Sequence, residues 1–140
     1  MLSLRLVIDT NVLVSAVLKP ESLQRTTFLL AITKPARLYV SHPILEEYAD
    51  VLSHPELHIR KGNRQQLLQL IKNYSHIVAP SRRLDVTSDP DDNMFIECAD
   101  QASADYLITG NQKHFPKFWK RTKVITSREF VSLVAPHLIP

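Results

Sequence analysis

The chain opens with an apolar run, Leu4-Arg-Leu-Val-Ile8, that is interrupted by Asp9-Thr10-Asn11 and resumes from Val12 to Leu18 before Lys19-Pro20. A strand followed by a helix accounts for this pattern, because Asp, Thr and Asn all cap helix N-termini. Leu23, Thr27, Leu30 and Ala31 recur at helical spacing and predict a second helix over 21–33. Arg37 to Ser41 alternates as a strand, and Pro43 fits the first turn of a helix running to about Ser53, where His54-Pro55 breaks it. Asn63 to Asn73 predicts an amphipathic helix with Leu67, Leu70, Ile71 and Tyr74 on one side, and His76 to Ala79 a short strand. A polar loop over 80–90 leads to a helix from Asp91 to about Ala102. Asp105 to Thr109 then reads as a strand closed by Gly110-Asn111, Lys123 to Thr126 as the last strand, and Ser127 as the cap of a final helix to about Ala135.

Strands alternating with helices at this spacing imply βαβ units and a parallel sheet covered on both faces. The 140 residues are 44% hydrophobic and 22% charged, an ordinary globular mix with room for one domain over 1–140. Only 2 residues are Gly, and neither GxGxxG nor GxxxxGK[ST] occurs, which removes the dinucleotide and P-loop readings. The lone Cys98 excludes a disulfide scaffold and a Cys-rich zinc site, and fits a reducing cytosol. No apolar run reaches the ~18 residues of a membrane span. Met1 to Arg5 lacks the features of a signal peptide, so a cytoplasmic protein without a membrane partner is expected.

Charge changes the picture through its placement. A net of +3 is too small by itself to indicate nucleic acid. Between Glu56 and Asp85, however, there are six bases and no acid, and between Asp105 and Glu129 six more with none. The acids gather elsewhere, notably in Asp89-Pro-Asp-Asp92. Such segregation describes a basic surface around an acidic pocket, or simply solvated basic helix faces.

Ligands of open parallel sheets bind beyond the carboxyl ends of the strands. Asp9 ends the first strand, Glu46 and Glu47 follow the second, Asp89, Asp91 and Asp92 follow the third, and Asn111 follows the fourth. Carboxylates about 4 Å apart repel by roughly 4 kcal/mol at an effective dielectric near 20, so they bind protons or a cation. Mg²⁺ and Mn²⁺ suit such oxygen donors. Ile44, Tyr48, Val51 and Leu52 define the apolar helix face, and Glu47 lies on that side while Glu46 lies opposite with Asp50 and Ser53. Asp92, ahead of Met94, Phe95 and Ile96, can reach the strand ends from a first turn, whereas Asp89 and Asp91 read as loop and cap residues. Taken singly, each acid has a structural alternative. Asp9 can cap a helix, Glu47 can sit in solvent, and Asp92 can answer a helix dipole.

Four segments together resemble the PIN-domain family: Val7 to Ala16, Pro43 to Leu52, Asp89 to Ala99 and Ala104 to Gly110. Within it, they are similar to the bacterial VapC-like toxin components of toxin–antitoxin systems. The resemblance covers about residues 4–127. It implies a three-layer α/β/α sandwich with a mainly parallel sheet of about five strands, and a Mg²⁺- or Mn²⁺-dependent ribonuclease site. Carried over by position, the metal-holding and catalytic acids are Asp9, Glu47 and Asp92, with Thr10, Asn11 and Asn111 supporting them. An RNA substrate, an antitoxin protein and a homodimer are the partners it implies.

One departure is visible. Where the family pattern is Thr-x-Asp, this chain has Thr109-Gly110-Asn111, which removes a negative charge. Asp105 cannot replace it, since six residues of strand put it roughly 20 Å away. Weakened metal binding, or a catalytically silent RNA- or partner-binding module on the same scaffold, follows as the expectation. Haloacid dehalogenase chemistry is disfavoured, because a second Asp is wanted where Asn11 stands. His54 and His58 are separated by the Pro55 break, Cys98 sits on an apolar face, and Trp119 with Phe115 and Phe118 reads as core packing before base stacking. Asn111→Asp is expected to tighten Mn²⁺ binding and raise RNA cleavage; unchanged metal affinity and unchanged cleavage would overturn this account of the departure.

Overall fold

The computed structural model describes residues 3–140. Its strands are β1 (Arg5–Ile8), β2 (Arg37–Val40), β3 (Ser75–Ile77), β4 (Tyr106–Ile108), β5 (Phe118–Trp119) and β6 (Thr122–Ile125). Its helices are α1 (Thr10–Leu18), α2 (Leu23–Ala31), α3 (His42–Leu52), α4 (Lys61–Tyr74), α5 (Pro90–Ala102) and α6 (Ser127–Val134). Short 3₁₀ turns lie at Pro55–Leu57, Gln112–His114 and Pro136–Leu138. The strands form one sheet in the order β3-β2-β1-β4-β6-β5, parallel throughout except for the antiparallel β5–β6 pair. Helices packed on this mainly parallel sheet make a layered α/β/α arrangement.

β1 is central because both its faces are apolar: Leu6, Val7 and Ile8 are all fully buried. α5 lies across β1, β2 and β4 through Phe95, Ile96, Cys98 and Ala99, while α2 packs against α1 and α6. Cys98 is thus a core residue, and burial pushes its thiol up to about 12. Among the described residues no helix is long and apolar enough to cross a membrane.

Two elements differ from expectation. β5 is a sixth strand, only two residues long and too short to leave a periodic pattern; it pairs Phe118 with Lys123 and Trp119 with Thr122. The last helix is capped by Thr126 rather than Ser127, because Thr126 and Glu129 complete a reciprocal capping box. Trp119 is half-buried and donates its indole N–H to Asp100, so it serves packing.

α3 is fixed to the sheet by Tyr48, a fully buried ring whose hydroxyl donates to the carbonyl of Ile8, the last residue of β1. Burial pushes this phenol well above its usual range, so it remains a donor at any working pH. Tyr48→Phe is expected to lower stability by about 1–3 kcal/mol, since it leaves a buried carbonyl short of its donor. Urea unfolding checks this.

Candidate active site

β1 and β4 run side by side in parallel, with Ile8 opposite Ile108, so the residue after each strand emerges at the same edge. The Asp9 N–H donates to the Ile108 carbonyl, and Asp9 and Thr109 stand next to one another. Asp9 occupies the N-cap position of α1, yet its carboxylate makes no capping hydrogen bond. Instead its Oδ2 accepts from the Thr109 hydroxyl at 2.6 Å. Thr109 in turn accepts the backbone N–H of Asn111 at 3.0 Å, which folds the chain back after the strand. The Asp9 carboxylate is thus tied to the end of β4, although the residue stands at the N-cap position of α1.

The neighbouring turn is secured from α1. Asn11 Oδ1 accepts the Gly110 N–H at 3.3 Å, and a β-carbon on Gly110 would meet that same amide at 3.6 Å, an ordinary contact. Thr10 is buried, and its hydroxyl donates to Glu47 Oε2 at 2.7 Å, bringing α3's carboxylate over the end of β1. Glu46 points to solvent, as the helical phase requires. At the start of α5, Asp89 caps the helix by accepting the Asp91 N–H, and Asp91 is exposed. Asp92 is half-buried in the first turn and turns toward the strand ends.

Asn93, the next residue, is buried and holds the preceding loop. Its Oδ1 accepts the backbone N–H groups of Val86 and Thr87 and the hydroxyl of Thr87. Sequence reasoning did not identify it, nor His114, whose Nδ1 lies 3.6 Å from Asp92 Oδ2. The signal for His114 was its place in the turn directly after Thr109-Gly-Asn111, read only for its acids.

Asp9, Glu47 and Asp92 share one electrostatic environment. Burial, assisted by the charges of Asp92 and Glu47, raises Asp9 from 3.8 to about 6 against the opposing Thr109 hydrogen bond. Asp92 is also raised, first by burial and then by the Asp89 charge, with the His114 imidazole opposing. Among the described residues no three His, Cys, Asp or Glu side chains stand close enough together to enclose an ion directly. The arrangement fits a hydrated divalent cation, since Mg²⁺ keeps several waters and takes one or two carboxylates at a time. The three acids offer oxygen donors only, and a cation would offset the burial, first, and the neighbouring charges, second, that raise Asp9.

Comparison with known proteins agrees with this architecture. A family model described as PIN domain matches residues 5–113. The uncharacterized protein MJ1680 of Methanocaldococcus jannaschii is 30% identical over 142 residues, covering 93% of this chain and 91% of its own. A chain in the crystal structure of VapBC2 from Rickettsia felis, bound to a DNA fragment from its promoter, superposes with a TM-score of 0.57 at 16% identity. That superposition covers 87% of this chain and 98% of the other.

The raised Asp9 pKa makes stability depend on pH. The folded chain holds this proton to about pH 6, while an unfolded chain releases it near 3.8. The associated stability is complete below about pH 4 and is lost as the pH rises through about 6. In chelator, Asp9→Asn is expected to stabilise the protein by about 1–2 kcal/mol at pH 7.5 and by much less at pH 4. Urea unfolding at the two pH values checks the difference.

Proposed function

The chain belongs to the PIN-domain family, and on that premise we propose that it is a metal-dependent endoribonuclease, the toxin of a toxin–antitoxin pair. The carrying observation is the shared environment of Asp9, Glu47 and Asp92 at the carboxyl ends of β1 and β4, where burial and mutual repulsion raise Asp9 to about 6. PIN domains are generally nucleases that use divalent metals, and the VapBC2 likeness supports an antitoxin as partner. A homodimer follows from the family resemblance.

In this reading Asp9 and Asp92 hold Mg²⁺ or Mn²⁺, and Glu47 ligates it or orients the attacking water. When bound, the ion supplies positive charge for the phosphate and lowers the pKa of a water to a range useful near neutral pH. The protein's part is positional. Thr109 fixes Asp9 through Oδ2. Thr10 holds Glu47. Asn11 fixes the Gly110 turn that presents Asn111 at the rim. His114 beside Asp92 adds a donor at the edge a phosphate would approach.

The alternative is a PIN-fold module that binds RNA or a protein partner without cutting, and the specific observation favouring it is Asn111 in the place of an acid. A Mn²⁺ titration of RNA cleavage separates the two, because a silent module retains RNA intact. Asp9→Asn is expected to lower Mn²⁺-dependent cleavage by at least about 10²-fold, the scale on which lost transition-state charge stabilisation acts. The same variant is expected to lose the thermal stabilisation that Mn²⁺ gives the wild type. Undiminished cleavage would overturn the mechanism.

A further inference from the structure

The second acid-free stretch of the chain builds a groove next to the acidic site. Two of its bases are already neutralised, Lys120 by Asp100 at 2.9 Å and Arg121 by Asp105 at 2.7 Å. Lys113, Lys117 and Lys123 instead line one groove of about 450 Å³ between the Gln112–His114 turn, β5 and β6. Among the described residues, none of these three forms an ion pair. Buried Phe115 and Val124 make the apolar floor, while Phe118 stands 57% exposed at its wall. Lys123 is the cross-strand partner of Phe118, and its ammonium lies 6.0 Å from the ring centre. Glu129, the carboxylate in the lining, is committed elsewhere: its Oε1 accepts from the Thr126 N–H and hydroxyl and from the Gln112 side-chain amide.

We propose that this groove binds the base and flanking phosphates of a single-stranded RNA segment adjoining the phosphate at the acidic site. The proposal deepens the ribonuclease reading and rests on it. Contiguity comes from the chain itself, since Lys113 directly precedes His114, which meets Asp92 at 3.6 Å. An exposed aromatic face stacks on any base, and unpaired ammonium groups answer phosphates. A duplex has its bases stacked inside and offers Phe118 none. An acidic peptide would answer the lysines but leave the ring without a stacking partner.

Binding of a short single-stranded RNA oligonucleotide, followed by fluorescence anisotropy in chelator so that nothing is cut, tests this directly. Phe118→Ala is expected to weaken Kd roughly 5- to 150-fold, the range found for loss of one stacked base, while Phe118→Tyr retains binding. Lys117→Glu and Lys123→Glu should each flatten the slope of log affinity against log salt by about 0.7. All three positions substituted are on the surface, and circular dichroism confirms that each variant folds. RNA binding that stays within about twofold across the Phe118 and lysine variants would overturn the proposal. So would loss of binding to poly-glutamate with RNA binding intact, which would make the groove a seat for an acidic protein. Phe118-dependent binding without any Mn²⁺-dependent cleavage would uphold the groove and overturn the ribonuclease reading. Cleavage that needs Asp9 but ignores Phe118 would do the reverse.

Discussion

The candidate site depends on the parallel pairing of β1 with β4. The two strands are separated by about a hundred residues, and the bond that joins their ends, Thr109 to Asp9, spans a separation of 100. β2 and β3 extend the sheet on one side of β1, while β4 and β6 extend it on the other. The direction of winding therefore reverses between β1 and β4, and a crevice opens beyond their carboxyl ends. Asp9 lies in that crevice because it follows β1, and Thr109 reaches it because it follows β4. α3 and α5 contribute Glu47 and Asp92 only because they begin at the same edge.

Electrostatics at the two ends of α5 show how differently one charge type can be treated. Near the C-terminus, burial would raise Asp100, but hydrogen bonds from Lys120, Trp119 and Arg82 outweigh it and hold the carboxyl below its usual range. Near the N-terminus, Asp92 meets acids and one imidazole and is raised. Asp9 is more buried and receives one hydroxyl. Cations are thus spent on structural acids and withheld from the crevice. The net charge of +3 conceals this division, because it sums 17 bases and 14 acids without regard to where each stands.

Much of this was legible in the sequence, and for physical reasons. Long elements write their period into the chain, so β1, α3 and α5 were placed within a residue or two. Glu47 could be separated from Glu46 because a helix of 11 residues fixes phase, and the structure half-buries the first and exposes the second. Short elements leave no period. β5 has two residues and is defined only by its partner strand, so it could not be read. Thr126 and Ser127 are both good caps, and only the reach of Glu129 decides between them. The partnership of His114 with Asp92 joins residues 22 apart through a turn whose course depends on the Thr109 hydroxyl. Asn93 was passed over because polar residues inside helices are common, and its three loop contacts exist only in three dimensions.

The placement of β4 also sets an order of events during synthesis. Asp9 and Glu47 leave the ribosome well before Thr109, and the first three strands can pair as soon as β3 is made. Asp9 nonetheless has no hydroxyl partner until Thr109 emerges, 100 residues further along. Parallel pairing across so long a stretch is slow to form, since loop closure precedes any contact that rewards it. A nascent or truncated chain that stops before β4 therefore carries Asp9, Glu47 and Asp92 yet lacks the strand that anchors Asp9. The candidate site therefore cannot assemble until β4 has been made and paired with β1.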